Sequence, residues 1–227
     1  MVNYEHVFCG TFLARPNRFL AHVEINGKEE ICHVKNTGRC RELLQPGAEV
    51  WCQHHDDPAR KTQWSLITVK KGERLVNIDS QVPNKLAFDY VKAGGLGFVP
   101  DLVKAEKTYG QSRFDLYYET DTHKGFVEVK GVTLEEDGVA RFPDAPTERG
   151  RKHLLELQNA AANGYEAWVL FVIQMDGISR FEPNWPRDPD FAEALCQAAH
   201  KGVQVRAVEC TVSENGLEIT DTVPVSL

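Results

Sequence analysis

The run Ala167-Trp168-Val169-Leu170-Phe171-Val172-Ile173 limits what this chain can fold into more than any other stretch. Seven apolar residues in a row, most of them β-branched or aromatic, fit a strand buried on both faces. They fall far short of the roughly 20 residues needed to cross a bilayer, so no membrane partner is expected. A strand buried on both faces needs cover on both, and the neighbouring pattern supplies it. Residues 83–93 read as a helix ended by Gly94-Gly95, and residues 190–199 as another. Residues 147–162 read as a helix with Thr147 as N-cap and Gly164 past its end. Strands are expected over 102–109, 113–119, 124–132, 166–173 and 203–210. The order α-β-β-β-α-β-α-β implies a mixed central sheet with helices on its faces.

The chain before residue 80 reads differently. Short runs rich in Val, Ile, Phe and Trp occupy 6–14, 18–25, 30–35, 49–54 and 62–69, with turn formers between them. Asn26-Gly27 between two such runs is a strong hairpin signal. One short helix is expected over 39–44. Five strands and one short helix suggest a small closed barrel of the oligonucleotide/oligosaccharide-binding (OB) type, and an SH3-like barrel would give a similar pattern. Two domains are therefore expected, 1–80 and 81–227.

Charge divides at the same place. Residues 1–80 carry 11 Lys+Arg against 10 Asp+Glu, a net +1, and residues 81–227 carry 15 against 23, a net −8. A total of −7 excludes a protein that coats polyanions indiscriminately, so any nucleic-acid binding must rest on local charge. In the barrel, Arg15, Arg18, Lys35, Arg39 and Arg41 could form such a basic surface. Trp51 and Trp64 fit barrel-core packing, with base stacking as the alternative. The six cysteines form no C-x-x-C pair and are read as free thiols. The first residues, Met1-Val2-Asn3-Tyr4-Glu5-His6, lack a basic stretch followed by an apolar one, so no secretory signal is expected and the cytoplasm is the expected location. No Gly-rich phosphate loop, nucleophile elbow or dinucleotide fingerprint is present. The sequence leaves the oligomeric state open, a homodimer included.

The residues that carry chemistry are Ser112-Arg113-Phe114-Asp115-Leu116 and, after a turn, Phe126-Val127-Glu128-Val129-Lys130. Alternation along a strand sends Glu128 and Lys130 to one side and Val127 and Val129 to the other. Twelve residues separate Asp115 from Glu128, enough for a hairpin-like return that brings both carboxylates together beside Lys130. Two neighbouring carboxylates repel, and a divalent cation resolves that conflict. Mg²⁺ or Mn²⁺ held there would activate water and neutralise charge on a phosphoryl group, with Lys130 orienting that water or steadying the anionic transition state. A plain ion pair on a surface strand would use the same residues.

Asp115…Glu128-Val129-Lys130 resembles the PD-(D/E)xK nuclease motif. More of the chain resembles one family. Asn36-Thr37-Gly38, Pro83-Asn84-Lys85-Leu86, Tyr109-Gly110, Ser112-Arg113-Phe114-Asp115, Glu128-Val129-Lys130-Gly131-Val132-Thr133-Leu134, Phe142-Pro143-Asp144-Ala145 and Thr147-Glu148-Arg149-Gly150-Arg151-Lys152-His153-Leu154 are similar to blocks of the sugar fermentation stimulation protein A family, in its order and spacing. The resemblance runs to the closing Val223-Pro224-Val225-Ser226-Leu227, with Pro146 a departure from the Val expected there. It implies an N-terminal OB-fold, a PD-(D/E)xK nuclease-like α/β domain, DNA binding and a cytoplasmic origin. On that basis Asp115 and Glu128 are the expected metal ligands, with the Val129 carbonyl as a further one, and RNA is a possible substrate beside DNA. The alternative is a non-catalytic DNA-binding regulator of sugar-metabolism genes. A carbohydrate-binding module rests only on the versatility of the barrel.

The helix after the motif carries Arg149, Lys152, His153 and Glu156 on one stripe, beside an apolar stripe of Gly150, Leu154, Leu157 and Ala161. Arg149, Lys152 and His153 are expected to contact phosphate, as is Arg113; a solvated helix face is the simpler account. Glu106 is a candidate third acidic ligand or edge-strand residue, and Asp89 a weaker one. His54-His55-Asp56-Asp57 and Glu135-Glu136-Asp137 are read as solvated turns.

Overall fold

A computed structural model of the chain describes residues 1–36 and 38–227; Thr37, in the Asn36-Thr37-Gly38 block, lies outside the described residues. After a two-residue strand β1 (Val2–Asn3) come β2 (Val7–Asn17), β3 (Leu20–Ile25), β4 (Lys28–Val34), β5 (Glu49–His54) and β6 (Trp64–Lys71). β2 pairs antiparallel with both β3 and β5, and β4 closes onto β6 in parallel from Cys32↔Trp64 to Val34↔Leu66. That closure makes a five-stranded OB barrel and disposes of the SH3-like alternative. β7 (Arg74–Asn77) adds a hairpin arm to β6. Asn26 and Gly27 form the two-residue turn between β3 and β4, both at positive φ (53° and 74°), which is why this dipeptide is suited to the position. The short helix expected over 39–44 is absent. Cys40 takes a left-handed φ of 45°, only one turn follows as Leu43 and Leu44 N–H donate to the Cys40 carbonyl, and Pro46-Gly47 ends it. Trp51 is buried, while Trp64 packs edge-on against Phe8 and His54.

The rest of the chain builds one large sheet. Its elements are α1 (Val82–Lys92), β8 (Leu102–Tyr109), β9 (Ser112–Glu119), β10 (Lys124–Val132), β11 (Leu134–Glu136), β12 (Val139–Phe142), α2 (Glu148–Ala162), β13 (Glu166–Ile173), β14 (Arg180–Pro183), α3 (Pro189–His200), β15 (Gln204–Ser213) and β16 (Gly216–Val223). Seven strands lie in the order β1-β16-β15-β13-β10-β9-β8, with β13 parallel to both β10 and β15 at the centre. β13 coincides with the apolar run, and both its faces are covered. Trp168, Leu170 and Val172 join Leu86 and Val91 of α1, while Val169, Phe171 and Ile173 join Leu154 and Leu157 of α2 and Leu195 of α3. Thr147 caps α2 by accepting from the Gly150 N–H at 3.0 Å. β11, β12 and β14 form a separate three-stranded sheet. All six cysteines are free, and among the described residues no helix is long and apolar enough to cross a membrane.

Glu135 corrects the expectation of a solvated turn. Glu136 and Asp137 are exposed, but Glu135 is only 5% exposed, because it meets the β6–β7 hairpin of the barrel. Its Oε2 lies 2.8 Å from Lys71 Nζ and 2.9 Å from an Arg74 guanidinium nitrogen, and its Oε1 accepts from the Gly138 N–H at 2.6 Å. Nearby, Asn77 N–H donates to the Gln174 carbonyl at 3.0 Å, and the Gln174 amide donates back to Asn77 Oδ1 and the Asp79 carbonyl. Burial alone would raise the Glu135 pKa, but Lys71, the Gly138 N–H and Arg74 together hold it down to about 2, from 4.5. This pairing therefore stabilises the fold fully above pH 4.5 and loses its effect as pH falls toward 2. Glu135→Gln is expected to lower stability by roughly 2–3 kcal/mol at neutral pH. In urea titrations the gap to wild type should narrow steadily below pH 4.5; a gap independent of pH would refute the pairing.

Candidate functional site

The β9–β10 ladder runs from Glu119↔Lys124 to Leu116↔Val127 and stops. The next pair in register would set Asp115 opposite Glu128. Instead Asp115 Oδ2 accepts from the Val129 N–H at 2.8 Å, and its Oδ1 accepts from the Asn84 side chain of α1 at 2.9 Å. On the other flank, β8 pairs Ala105↔Leu116 and Lys107↔Phe114 but skips Glu106, which takes a left-handed φ of 55°. β9 is thus loosened from both neighbours at Asp115.

Glu128 is 2% exposed and faces α2, as do Phe126 and Lys130, while Val127 and Val129 face α1. Its Oε1 accepts from Lys130 Nζ and from His153 Nδ1–H of α2. Its Oε2 is buried with no hydrogen-bond partner, an arrangement that is costly for a carboxylate and that a cation would relieve. Burial raises the Glu128 pKa, but the His153 hydrogen bond and the Lys130 charge outweigh it and hold the group below its usual range. Asp115 moves the other way. Burial and then the Glu128 charge raise it, and the Val129 N–H, Lys130 and Asn84 offset only part of the rise. The donor set is two hard carboxylates, suited to a divalent cation that keeps waters and takes phosphate oxygens.

The remaining expected residues divide. Arg149 and Lys152 are exposed in the first turns of α2, whereas His153 turns inward and is 7% exposed. Asp89 and Glu106 line one cleft of about 400 Å³ with Asp115, yet Glu106 pairs with Arg113 at 3.4 Å. Among the described residues, no group of three or more His, Cys, Asp or Glu is placed to hold an ion. His54 pairs with Asp56 at 3.1 Å, and His55 bonds Ser65. In the barrel, Arg15, Arg18, Arg39 and Arg41 line one groove of about 540 Å³. The Arg15 guanidinium faces inward and donates to the carbonyls of Arg18, Asn36, Gly38 and Arg39, so it holds the groove wall together. Sequence reasoning gave no role to Asn84 and the wrong neighbours to His153. The signal for His153 was present: it lies three residues after Gly150 and four before Leu157, on the stripe that packs inward.

Two family models cover most of the chain: the sugar fermentation stimulation protein RE domain matches residues 81–216 and the SfsA N-terminal OB domain matches residues 13–78. The chain belongs to the sugar fermentation stimulation protein (SfsA) family. A sugar fermentation stimulation protein homolog of Desulfitobacterium hafniense is 55% identical over 228 residues, covering 100% of this chain and 99% of the relative. One from Clostridium beijerinckii is 51% identical over 226 residues, covering both chains completely. Among solved structures, Pyrococcus furiosus SfsA in complex with Ca²⁺ matches with a TM-score of 0.89 at 28% identity, over 100% of this chain and 98% of that one.

In this SfsA chain, His153→Ala is expected to destabilise by roughly 1–3 kcal/mol, since a buried carboxylate loses a donor. His153→Asn, whose amide N–H can stand near the Nδ1 position, should recover at least half of that loss in metal-free calorimetry. Equal losses for Ala and Asn would show that His153 acts through packing alone.

Proposed function

We propose that this SfsA protein is a divalent-metal-dependent nuclease that hydrolyses phosphodiester bonds of DNA, and by the same chemistry RNA. In this reading residues 1–80 hold the nucleic acid and residues 81–227 form a PD-(D/E)xK nuclease-like unit. The observation that carries it is the buried, partnerless Glu128 Oε2 beside Asp115 and Lys130, where β9 parts from β10. The Ca²⁺ complex of the Pyrococcus furiosus relative supports a divalent site, since Ca²⁺ takes the same kind of oxygen ligands.

Glu128 and Asp115 would hold Mg²⁺ or Mn²⁺, with the Val129 carbonyl as a further ligand. The bound ion would supply Lewis-acid neutralisation of phosphoryl charge and a more acidic water. Lys130 is fixed by its bond to Glu128, so its ammonium is positioned to orient the attacking water or to donate to the phosphoryl oxygens. His153 orients Glu128 from the α2 side. Arg149 and Lys152, exposed at the start of α2, would hold a phosphate of the strand, with Arg113, exposed on β9 beside Glu106, as a further contact. Because burial and Glu128 raise the Asp115 pKa, the acid-side loss of ion binding and cleavage should set in at a higher pH than an unshifted aspartate would give.

A second reading is favoured by one observation. Lys130 already offsets the Glu128 charge and His153 hydrogen-bonds the same oxygen, so this carboxylate is held without a cation. The protein would then be a non-catalytic DNA-binding regulator of sugar-metabolism genes, in line with the family's name. Incubation of the protein with labelled DNA and Mn²⁺ decides between the two. The nuclease reading expects cleavage that chelator abolishes and that Glu128→Gln and Lys130→Ala each reduce by about 100-fold or more. It also expects saturating Mn²⁺ or Ca²⁺ to raise the melting temperature of wild type but not of Glu128→Gln. Salt-dependent DNA binding, indifferent to metal and with no cleavage, would establish the regulator instead.

A further inference from the structure

We infer that a single nucleic-acid strand is held on a path that leaves the barrel groove, crosses to the second unit between Arg39, Arg41 and Arg187, and ends on Trp185. The inference rests on the nucleic-acid part of the reading above but not on cleavage. Three depressions share their walls. Arg39 and Arg41 line both the 540 Å³ barrel groove and a smaller hollow of about 120 Å³ at the junction. Arg187 lines that hollow and also a third depression of about 340 Å³, which contains Trp185. The path is therefore continuous from the β2–β3 turn of the barrel to the segment before α3.

Both banks are fixed to one segment, residues 142–147. On the barrel side, the Arg39 N–H donates to Asp144 Oδ2 at 3.1 Å. A Cβ at Gly38 would stand 2.6 Å from that same oxygen, so a side chain there would push Asp144 off the Arg39 N–H. On the other side, the Asn184 N–H donates to the Phe142 carbonyl and its side chain to the Pro143 carbonyl, at 2.8 and 2.9 Å. Asp188 accepts from the Thr147 N–H at 2.8 Å. The loop bearing Trp185 and Arg187 is thus held in register with the barrel loop, and Thr147 leads directly into α2 with Arg149 and Lys152.

The chemistry along the path selects the ligand. Arg18, Arg39, Arg41 and Arg187 are exposed, and the arginines that form ion pairs among the described residues are others, namely Arg74, Arg113, Arg141, Arg151 and Arg180. Trp185, 44% exposed, stands at one end; near the other, the exposed Phe19 ring lies beneath the Arg18 guanidinium that lines the groove. A run of unpaired guanidinium groups that ends on the exposed Trp185 ring suits phosphates and unstacked bases. A duplex offers no free base faces to stack on, because its own stacking covers them. Asp144 is hydrogen-bonded to the barrel loop, and Glu136 and Glu182 pair with Arg141, so these acids on the path are partnered. Glu42 also lines the junction hollow, with a buried oxygen that has no partner, and it opposes the strand.

The test is fluorescence anisotropy of labelled dT12 and of a duplex of equal length, in EDTA, so that no cleavage can intervene. Wild type should bind dT12 more tightly than the duplex. The log Kd–log salt slope should change by about 1.4 in Arg39→Ala/Arg41→Ala, at roughly 0.7 for each phosphate left without its cation. Trp185→Ala should weaken dT12 roughly tenfold, and Glu42→Gln should tighten it. These side chains are exposed or line the surface hollow, and unchanged urea midpoints would verify that the variants fold. Equal or tighter duplex binding, an unchanged salt slope, or displacement of dT12 by polyglutamate at equal charge concentration would overturn the path. Absence of Mn²⁺-dependent cleavage with dT12 binding intact would sink the nuclease reading alone, and duplex cleavage without dT12 binding would sink the path alone.

Discussion

The early end of the β9–β10 ladder is the constraint on which the rest of the site depends. Where β9 leaves β10, the Val129 N–H loses its strand partner inside a covered sheet, and an unsatisfied buried N–H costs about 1–3 kcal/mol. Asp115 takes that N–H on its carboxylate, so the same side chain closes the sheet and supplies a charge in the gap. One step along, Glu128 projects into the layer beneath α2, where a lone carboxylate would be strongly disfavoured. Lys130 and His153 answer that, and His153 reaches Glu128 only because α2 lies close against the sheet. On its other side α2 has a further requirement, at Gly150. A Cβ there would meet the Phe191 ring of α3 at 3.1 Å and the Thr147 cap at 2.7 Å. Each member of the set therefore leans on the next, from backbone pairing to helix packing.

How much of this was legible in the sequence follows from how local each cause is. The run 166–173 gave its strand to the residue, because burial on both faces is written into an unbroken apolar stretch. Asn26-Gly27 gave its hairpin because positive φ at both positions is a property of those two residues. Asp115, Glu128 and Lys130 were visible through spacing and alternation. Features that depend on distant partners were not. Glu135 looked like part of a polar turn, and nothing within ten residues announces Lys71 and Arg74, which lie more than sixty positions away. Arg15 looked like one more surface cation, yet its partners are carbonyls of a loop folded back over it. Residues 39–44 have helical composition, but Cys40 adopts a left-handed backbone that composition does not signal. The three short strands β11, β12 and β14 carry too few residues to show a period.

The net charge of −7 takes on meaning only once it is placed. The acidic excess belongs to the second unit, and part of it is the buried Glu128 and the half-buried Asp115, which a formal count treats as ordinary surface charge. The arginines of the barrel groove, by contrast, face solvent without acidic partners, apart from Arg15, which is turned to a structural task. Weak overall attraction for polyanions and a strong local path are therefore compatible in one chain. On the proposed reading, this combination suits a strand led along the path better than one merely collected by charge.

Threading helps only if the two units hold a fixed relation, and the junction supplies it close to the site. Gln174, directly after the central strand, exchanges hydrogen bonds with Asn77 at the end of the barrel. Gly131, directly after Lys130, lies so near that a Cβ would stand 2.8 Å from Gln174 Oε1 and 2.8 Å from Pro83. The β7 arm of the barrel, the central strand of the large sheet and the residue beside Lys130 therefore meet at one point. The buried Glu135–Lys71–Arg74 cluster fixes a second point of the same junction, and two fixed points resist a hinge better than one. In such an arrangement, contacts made along the barrel groove can place a phosphate relative to Lys130 without a further ordering step, which is how remote binding lowers the entropic barrier to a reaction. On the proposed reading, the interface is as much a part of the site as its carboxylates.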